Sequence, residues 1–247
     1  VKMLTIITGI IVGSLSLMIF LASYFFRQDS STRVEENSQQ ITQILAQQVD
    51  REFENVTFKV LLMAAELIRD TRSAETARLF FSNNKNFLYI GVARADDDRL
   101  TIQKELINQE TTKEKNLEAG IYGKMHLALE QDFLKAKAGI PVVRNASRQA
   151  PIPIIGMAFP LNDRVILAYV EAVYFLPAFR KKDILTTYMV DEEGTVIAHP
   201  DTNLVQEARR LAESPIVKTM LASNKQNLLT RYEENGATFL AAFEKLN

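Results

Sequence analysis

The 247-residue chain contains no cysteine and no tryptophan. Without cysteine there are no disulfides, zinc–thiolate sites, iron–sulfur clusters, cysteine-borne lipids or cysteine nucleophiles. Histidine is almost absent as well, with only His126 and His199. Two imidazoles do not make a histidine-rich metal site, and they leave few bases for a nucleophile–histidine–acid triad. Glycine is scarce, at 9 residues, and there is no phosphate-cradling glycine loop, no Gly-x-Ser-x-Gly and no His-Glu-x-x-His. An excess of one charge is missing too. The 29 Lys and Arg nearly cancel the 30 Asp and Glu, which argues against bulk electrostatic binding to nucleic acid. Neither a cofactor nor a metal is expected.

What remains is globular in composition, with 47% hydrophobic and 24% charged residues. The length allows two modest domains, or one domain plus extra elements. The apolar residues are unevenly spread. From Met3 to Phe26 no residue is charged, a run of roughly 36 Å as a helix, enough for a ~30 Å hydrocarbon core. Tyr24, Phe25 and Phe26 close the run where aromatic rings favour a membrane interface. The run is longer than a signal-peptide core of about 7–15 residues, and no small-x-small cleavage site follows cleanly. Residues 1–27 are therefore read as an uncleaved membrane anchor, with the remainder of the chain outside.

A polar stretch from Gln28 to Gln40 leads into apolar residues at Ile41, Leu45, Val49, Phe53, Val56, Val60, Met63 and Leu67. Steps of three and four are the period of one helix face. No Pro or Gly interrupts Ser30–Arg72, so residues 28–72 are predicted to form one long stalk helix. Its C-terminal half is expected to pack on its own domain, and its glutamine-rich N-terminal half on a second copy, giving a homodimer.

Beyond Arg72 the period shortens. Phe87–Ala95 reads as a strand ending in Asp96-Asp97-Asp98, with Leu100–Leu106 pairing back as a hairpin. The three aspartates suit a solvated turn better than a cation site. Leu117–Ala138 returns to helical spacing and stops at Gly139 and Pro141. Three strands follow, at Ile140–Asn145, Ile152–Phe159 and Val165–Val173. Pro151, Pro153 and Pro160 place the middle one at a sheet edge or make it irregular. Phe175–Lys181 reads as a short helix. Strands at Leu185–Val190 and Thr195–Ala198 flank Asp191-Glu192-Glu193-Gly194, Pro215–Ser223 reads as a helix, and strands at Leu228–Tyr232 and Ala237–Phe243 flank Asn235-Gly236, a strong hairpin signal. A sheet of this kind needs another covering strand, so the natural chain is expected to continue past Asn247.

The segment Tyr188-Met-Val-Asp-Glu-Glu-Gly-Thr-Val-Ile-Ala-His-Pro-Asp201 resembles the membrane-proximal half of a double Cache domain, an extracytoplasmic sensor of bacterial receptors. Leu228–Phe243 resembles it too, and Asn145-Ala-Ser147 through Pro160 resembles the distal half. The resemblance implies an α+β chain: an N-terminal membrane helix, a long stalk helix and two stacked PAS-like antiparallel-sheet subdomains. Residues 73–182 would form the distal subdomain, and 183–247 the proximal one, incomplete at its C-terminus. It implies a periplasmic sensor on the inner membrane, binding a small molecule of unknown class. The cytoplasmic output would be a methyl-accepting domain, a histidine kinase, a diguanylate cyclase or an adenylate/guanylate cyclase. This stretch would not itself be an enzyme. The amino-acid-sensing branch of the family carries an Arg-x-Trp-Tyr signature and a later distal Asp. The signature is absent here, and Glu171 stands about where the Asp would fall.

A pocket in such a sheet needs a few polar groups within apolar walls. Arg144 suits an anionic ligand by bidentate pairing, and Glu171 a cationic group. Tyr89, Tyr169 and Met157 are candidate walls. The plainer readings are an exposed strand arginine, an outward carboxylate and ordinary core packing. His199-Pro200-Asp201 reads as a structural turn in which the Asp holds backbone donors. Two other functions compete with sensing: a membrane-tethered extracytoplasmic enzyme, and a structural stalk.

Overall fold

The computed structural model describes residues 2–69, 73–96, 98–179, 186–234 and 236–246. It is an α+β chain that opens on one long helix, α1 (Lys2–Arg69). It divides into two units. One holds the chain up to Ile44 together with Lys225–Lys245, and the other holds Leu45–Asn224 and Leu246.

The larger unit is built on a five-stranded antiparallel sheet of β1 (Phe87–Ala95), β2 (Leu100–Ile107), β3 (Val142–Asn145), β4 (Ile154–Leu161) and β5 (Arg164–Glu171), in the order β2-β1-β5-β4-β3. Two of the three interior strands, β1 and β5, are almost wholly buried, so their sequences read as unbroken apolar runs rather than alternating ones. One face packs on α1. Val49, Val56, Val60, Met63 and Leu67 of the helix meet Ile90, Val92, Ile155, Met157, Phe159, Ile166 and Val170 of the sheet. This is the stripe of threes and fours seen in the sequence, and it supplies the core that a strand pair alone lacks. The opposite face packs on α4 (Ile121–Leu134), through Ile121, Tyr122, Met125 and Phe133.

A bulge between Phe87 and Tyr89 alters the alternation of β1. Phe87 and Ile90 lie in the α1 core, while Leu88 and Tyr89 both lie in the α4 core. The prolines also find their place. β4 is an interior strand over half its length, where Ile155–Ala158 pair with β3 on one side and β5 on the other, and an edge strand beyond it. Pro160 pairs with Val165 of β5, beyond the reach of β3, so its missing N–H lies where no partner strand asks for it.

Two short helices went unread in the sequence. They are α2 (Ser73–Asn83) and α3 (Gln109–Glu114), the latter capped by Asn108, whose side chain accepts from the Thr111 N–H. The helix read over Phe175–Lys181 is a 3-10 turn, Leu176–Phe179, and residues 180–185 lie outside the described stretch. After it come β6 (Met189–Val190) and β7 (Val196–Ala198), a two-stranded ladder. Asp191 Oδ1 accepts from the N–H groups of Glu193 (2.9 Å) and Thr195 (2.8 Å) in the turn between them. In His199-Pro200-Asp201 the aspartate caps α5 (Thr202–Gln206), accepting from the Asn203 N–H at 3.0 Å. Helix α6 (Pro215–Ala222) follows.

The smaller unit contains the start of α1 and a second antiparallel pair, β8 (Asn227–Glu234) and β9 (Ala237–Glu244). Arg231 is ion-paired with Glu35 within it. Tyr232 stacks on Phe239, with ring centroids 5.5 Å apart. Asn235 of the expected Asn-Gly turn lies outside the described residues, and Gly236 has φ +77°.

Gly194 closes the β6–β7 turn with φ +80°, and a Cβ there would lie 3.0 Å from the Ala212 backbone. Gly139 has φ +90° but open space around it. Gly139→Ala is expected to cost about 1 kcal/mol of conformational strain. Gly194→Ala should cost at least about 2 kcal/mol, because strain and clash add. Urea unfolding of the two variants checks this. Equal losses would show that the Ala212 contact relaxes freely.

Candidate functional site

The α4 face of the sheet carries a row of unusual side chains. The register places Arg144 of β3 opposite Gly156 of β4, Gly156 opposite Tyr169 of β5, and Tyr169 opposite Tyr89 of β1. Gly156 leaves the space that Phe133, Leu129 and the Tyr169 ring occupy. Gly91 does the same for Tyr89, whose ring lies directly over it. Helix α4 lays Tyr122 and His126, one turn apart, onto this row.

The result is an aromatic cluster. Tyr89 stacks on Tyr122, with centroids 5.0 Å apart, and meets His126 edge-on at 4.9 Å. Tyr169 lies 5.6 Å from Tyr89 and 6.0 Å from Tyr122. Tyr122 Oη shares a 2.7 Å hydrogen bond with Thr112 Oγ1, and Tyr169 Oη a 2.9 Å bond with His126 Nδ1. Two polar atoms stand apart. Tyr89 Oη and His126 Nε2 are buried, and among the described residues neither makes a hydrogen bond. A buried polar atom without a partner costs on the order of 1–3 kcal/mol, so each is a place where the fold spends stability for no structural return.

Electrostatics keep the cluster uncharged. Burial holds the His126 imidazolium down, to a pKa of about 4. Burial pushes the Tyr169 phenol well above its ordinary range. The same is true of Tyr89, where the nearby Glu105 carboxylate adds to the effect although the two do not meet hydrogen-bond geometry. At one end of the row Glu171, 7% exposed, faces Lys115 Nζ at 3.6 Å. Burial raises the Glu171 pKa, and Lys115 opposes the rise.

The five residues singled out in the sequence are thus sorted. Tyr89, Tyr169, Glu171 and Arg144 share the α4 side of the sheet. Met157 does not join them, because strand alternation turns it into the α1 core. Arg144 is neither an exposed strand arginine nor a free anion anchor. It is 5% exposed, and its guanidinium is paired with Asp132 and Glu192. Glu171 points inward rather than to solvent. Sequence reasoning missed Tyr122 and His126 as members, although their four-residue spacing on the face of Ile121, Met125, Leu129 and Phe133 was there to see. A recess of about 620 Å³ lies elsewhere, at the other end of the sheet, lined by Arg94, Asp96, Lys137, Pro160, Asn162 and Arg164 among others. Among the described residues no cluster of acidic and histidine side chains could hold a metal.

No protein-family model matches the sequence, and no curated protein sequence matches it. Solved structures do match. The ligand-binding domain of the Pseudomonas fluorescens chemoreceptor CtaA, in complex with L-isoleucine, is 12% identical with a TM-score of 0.51, over 87% of this chain and 86% of that one. The sensory domain of the Campylobacter jejuni chemoreceptor Tlp3, with isoleucine bound, is 11% identical with a TM-score of 0.50, over 87% and 89%. The chain therefore has the fold of a chemoreceptor sensory domain, the class that the double Cache resemblance implied.

The His126 environment has a pH consequence. Unfolded, its imidazole takes a proton near pH 6.5; folded, only near pH 4. Between these values the unfolded chain holds more protons, so stability is full above pH 6.5 and falls as the pH drops towards 4. The loss should reach roughly 2–3 kcal/mol. His126→Gln is expected to flatten the slope between pH 7 and 4.5, measured by urea unfolding. His199, also held down by burial, contributes equally to both proteins, so their difference isolates His126. Parallel slopes would show that His126 is not buried as described.

Proposed function

We propose that this chain is the extracytoplasmic sensing region of a membrane receptor, and that a small molecule binds between α4 and the sheet, against Tyr89, Tyr122, His126 and Tyr169. The observation that carries this reading is the pair of buried polar atoms without partners, Tyr89 Oη and His126 Nε2, on the inner face of a sensory-domain fold. A ligand that hydrogen-bonds to them recovers stability that the free protein lacks. The neighbours of known structure bind isoleucine, which makes branched L-amino acids the first probes. Arg144 is taken up by carboxylates of its own chain, and the family's amino-acid signature is missing, so amines and neutral metabolites belong beside them in the screen.

The rest of the reading follows from the sequence. Met3–Phe26 serves as the membrane anchor. Every side chain described from Gly13 to Phe26 is exposed, including Met18, Ile19, Phe20 and Phe26 at 66–74%, and lipid is the natural cover for such a surface. Among the described residues no helix is long and apolar enough to cross a membrane, and the side chains before Gly13 lie outside them. Residues 73–182, which include the five-stranded sheet, then form a distal subdomain in the periplasm. Residues 183–247 belong to a proximal subdomain, and α1 runs beside a second copy in a homodimer. Ligand binding shifts the population of α4 positions, and the shift passes to a cytoplasmic output. The chain senses rather than catalyses.

Thermal unfolding of the full chain in detergent micelles, with L-isoleucine, L-valine and a panel of amines, carboxylates and purines, tests the binding. A true ligand at about 100 times its Kd adds about 2.7 kcal/mol. Tyr89→Phe is expected to leave the ligand-free protein as stable as before or more so, while reducing the ligand-induced shift by tenfold in Kd or about 1.4 kcal/mol. If no class of compound raises the midpoint, direct sensing at this face is wrong.

A further inference from the structure

Arg144 occupies a position that ligand binding does not explain. Its Nη1 donates to the Val143 carbonyl at 2.9 Å. Its Nη2 alone serves two carboxylates, Asp132 Oδ1 on α4 at 3.1 Å and Glu192 Oε1 in the β6–β7 turn. Lys135 completes the group, 2.7 Å from Asp132 and 3.8 Å from Glu192. Two cations and two anions cancel, so the cluster draws no further anion. Burial opposes the charge on Arg144, but the Glu192 and Asp132 hydrogen bonds outweigh it and hold the guanidinium protonated. Asp132 is likewise held ionised, its burial outweighed by Lys135 and Arg144.

The next residue holds the start of β7, just past the same turn, and α5. Asn145 Nδ2 donates to the carbonyls of Val196 on β7 (2.6 Å) and Val205 on α5 (2.7 Å). Gln206 and Arg148 add side-chain bonds across the same seam, to the carbonyls of Ser147, Ala150, Glu207 and Ala208. The start of β7 and the α5 segment are thus bonded to β3 and the turn after it. The β6–β7 turn itself is tied through one guanidinium nitrogen to α4, the helix that carries Tyr122 and His126.

The geometry points to Arg144 as a coupling residue: it links the position of α4 over the aromatic cluster to the conformation of the β6–β7 turn. Because one nitrogen holds both carboxylates, a shift of Asp132 with α4 changes the bond to Glu192, and a shift of Glu192 changes the bond to Asp132. Coupling of this kind is reciprocal. The link itself rests on the ion cluster alone; its use in signalling rests on the sensing function proposed above.

Hydrogen–deuterium exchange on the full chain tests it without any ligand. Asp132 and Glu192 have side chains 26% and 66% exposed, so Asp132→Asn and Glu192→Gln preserve the fold. Asp132→Asn is expected to speed exchange in Met189–Ala198 by about fivefold, and Glu192→Gln to speed it in the last two turns of α4 by a similar factor. In the double variant each segment should exchange no faster than in the more affected single variant. The inference is overturned if each substitution alters only its own element, or if the two effects simply multiply. Either outcome leaves the ligand screen untouched, so failure of the link and failure of the binding site are told apart.

Discussion

Everything in the larger unit depends on burying β1 and β5 from both sides. A two-stranded antiparallel pair in water is marginal, and an antiparallel sheet with one wet face is the common solution. Here neither face of the central pair is wet. The α1 stripe covers one face with aliphatic side chains, and α4 covers the other with aromatic ones. At about 25 cal/mol per Å² of apolar surface removed from water, each layer outweighs any ion pair in the structure. The two layers differ in kind, and that difference marks the α4 side as the candidate site. The α1 stripe itself contains only groups that packing satisfies. The α4 face contains phenols, an imidazole, a guanidinium and a carboxylate, each of which needs a partner once buried.

Much of the architecture was legible because periodicity reports burial. Phe87–Ala95 was read as a strand with the bounds the structure gives it, since nine residues with so few charges suit a strand covered on both faces. The helical stripe from Leu45 to Leu67 was legible for the same reason. Positions governed by partners distant in sequence were not. Nothing local tells that β4 becomes an edge strand at Pro160, because β3 ends at Ala158's partner, Val142. Nothing near Arg144 tells that Glu192, 48 residues on, takes its guanidinium.

The same limit shaped the reading of the site. Tyr89 and Tyr169, which the structure sets in the buried α4 layer, were singled out because large aromatics within apolar strands stand out. Met157 stood out equally, yet a single alternation sends it to the other face. Tyr122 and His126 were hidden by their setting, a helix whose apolar positions absorbed attention. The sequence also could not distinguish a polar atom that is satisfied from one that is not. Tyr169 and Tyr89 look alike in the chain, but the first finds His126 and the second finds no hydrogen bond among the described residues.

The extra residue at the start of β1 has an evolutionary consequence. It sets Leu88 and Tyr89 on one side together, so the spacing within the start of β1 cannot drift as the length of a surface connection can. Removing a single residue there would rotate the strand's occupants by half a turn, delivering a phenol to the aliphatic layer and an isoleucine to the aromatic one. Homologous chains that keep the tyrosines are therefore bound to keep this spacing, however freely the neighbouring loops diverge.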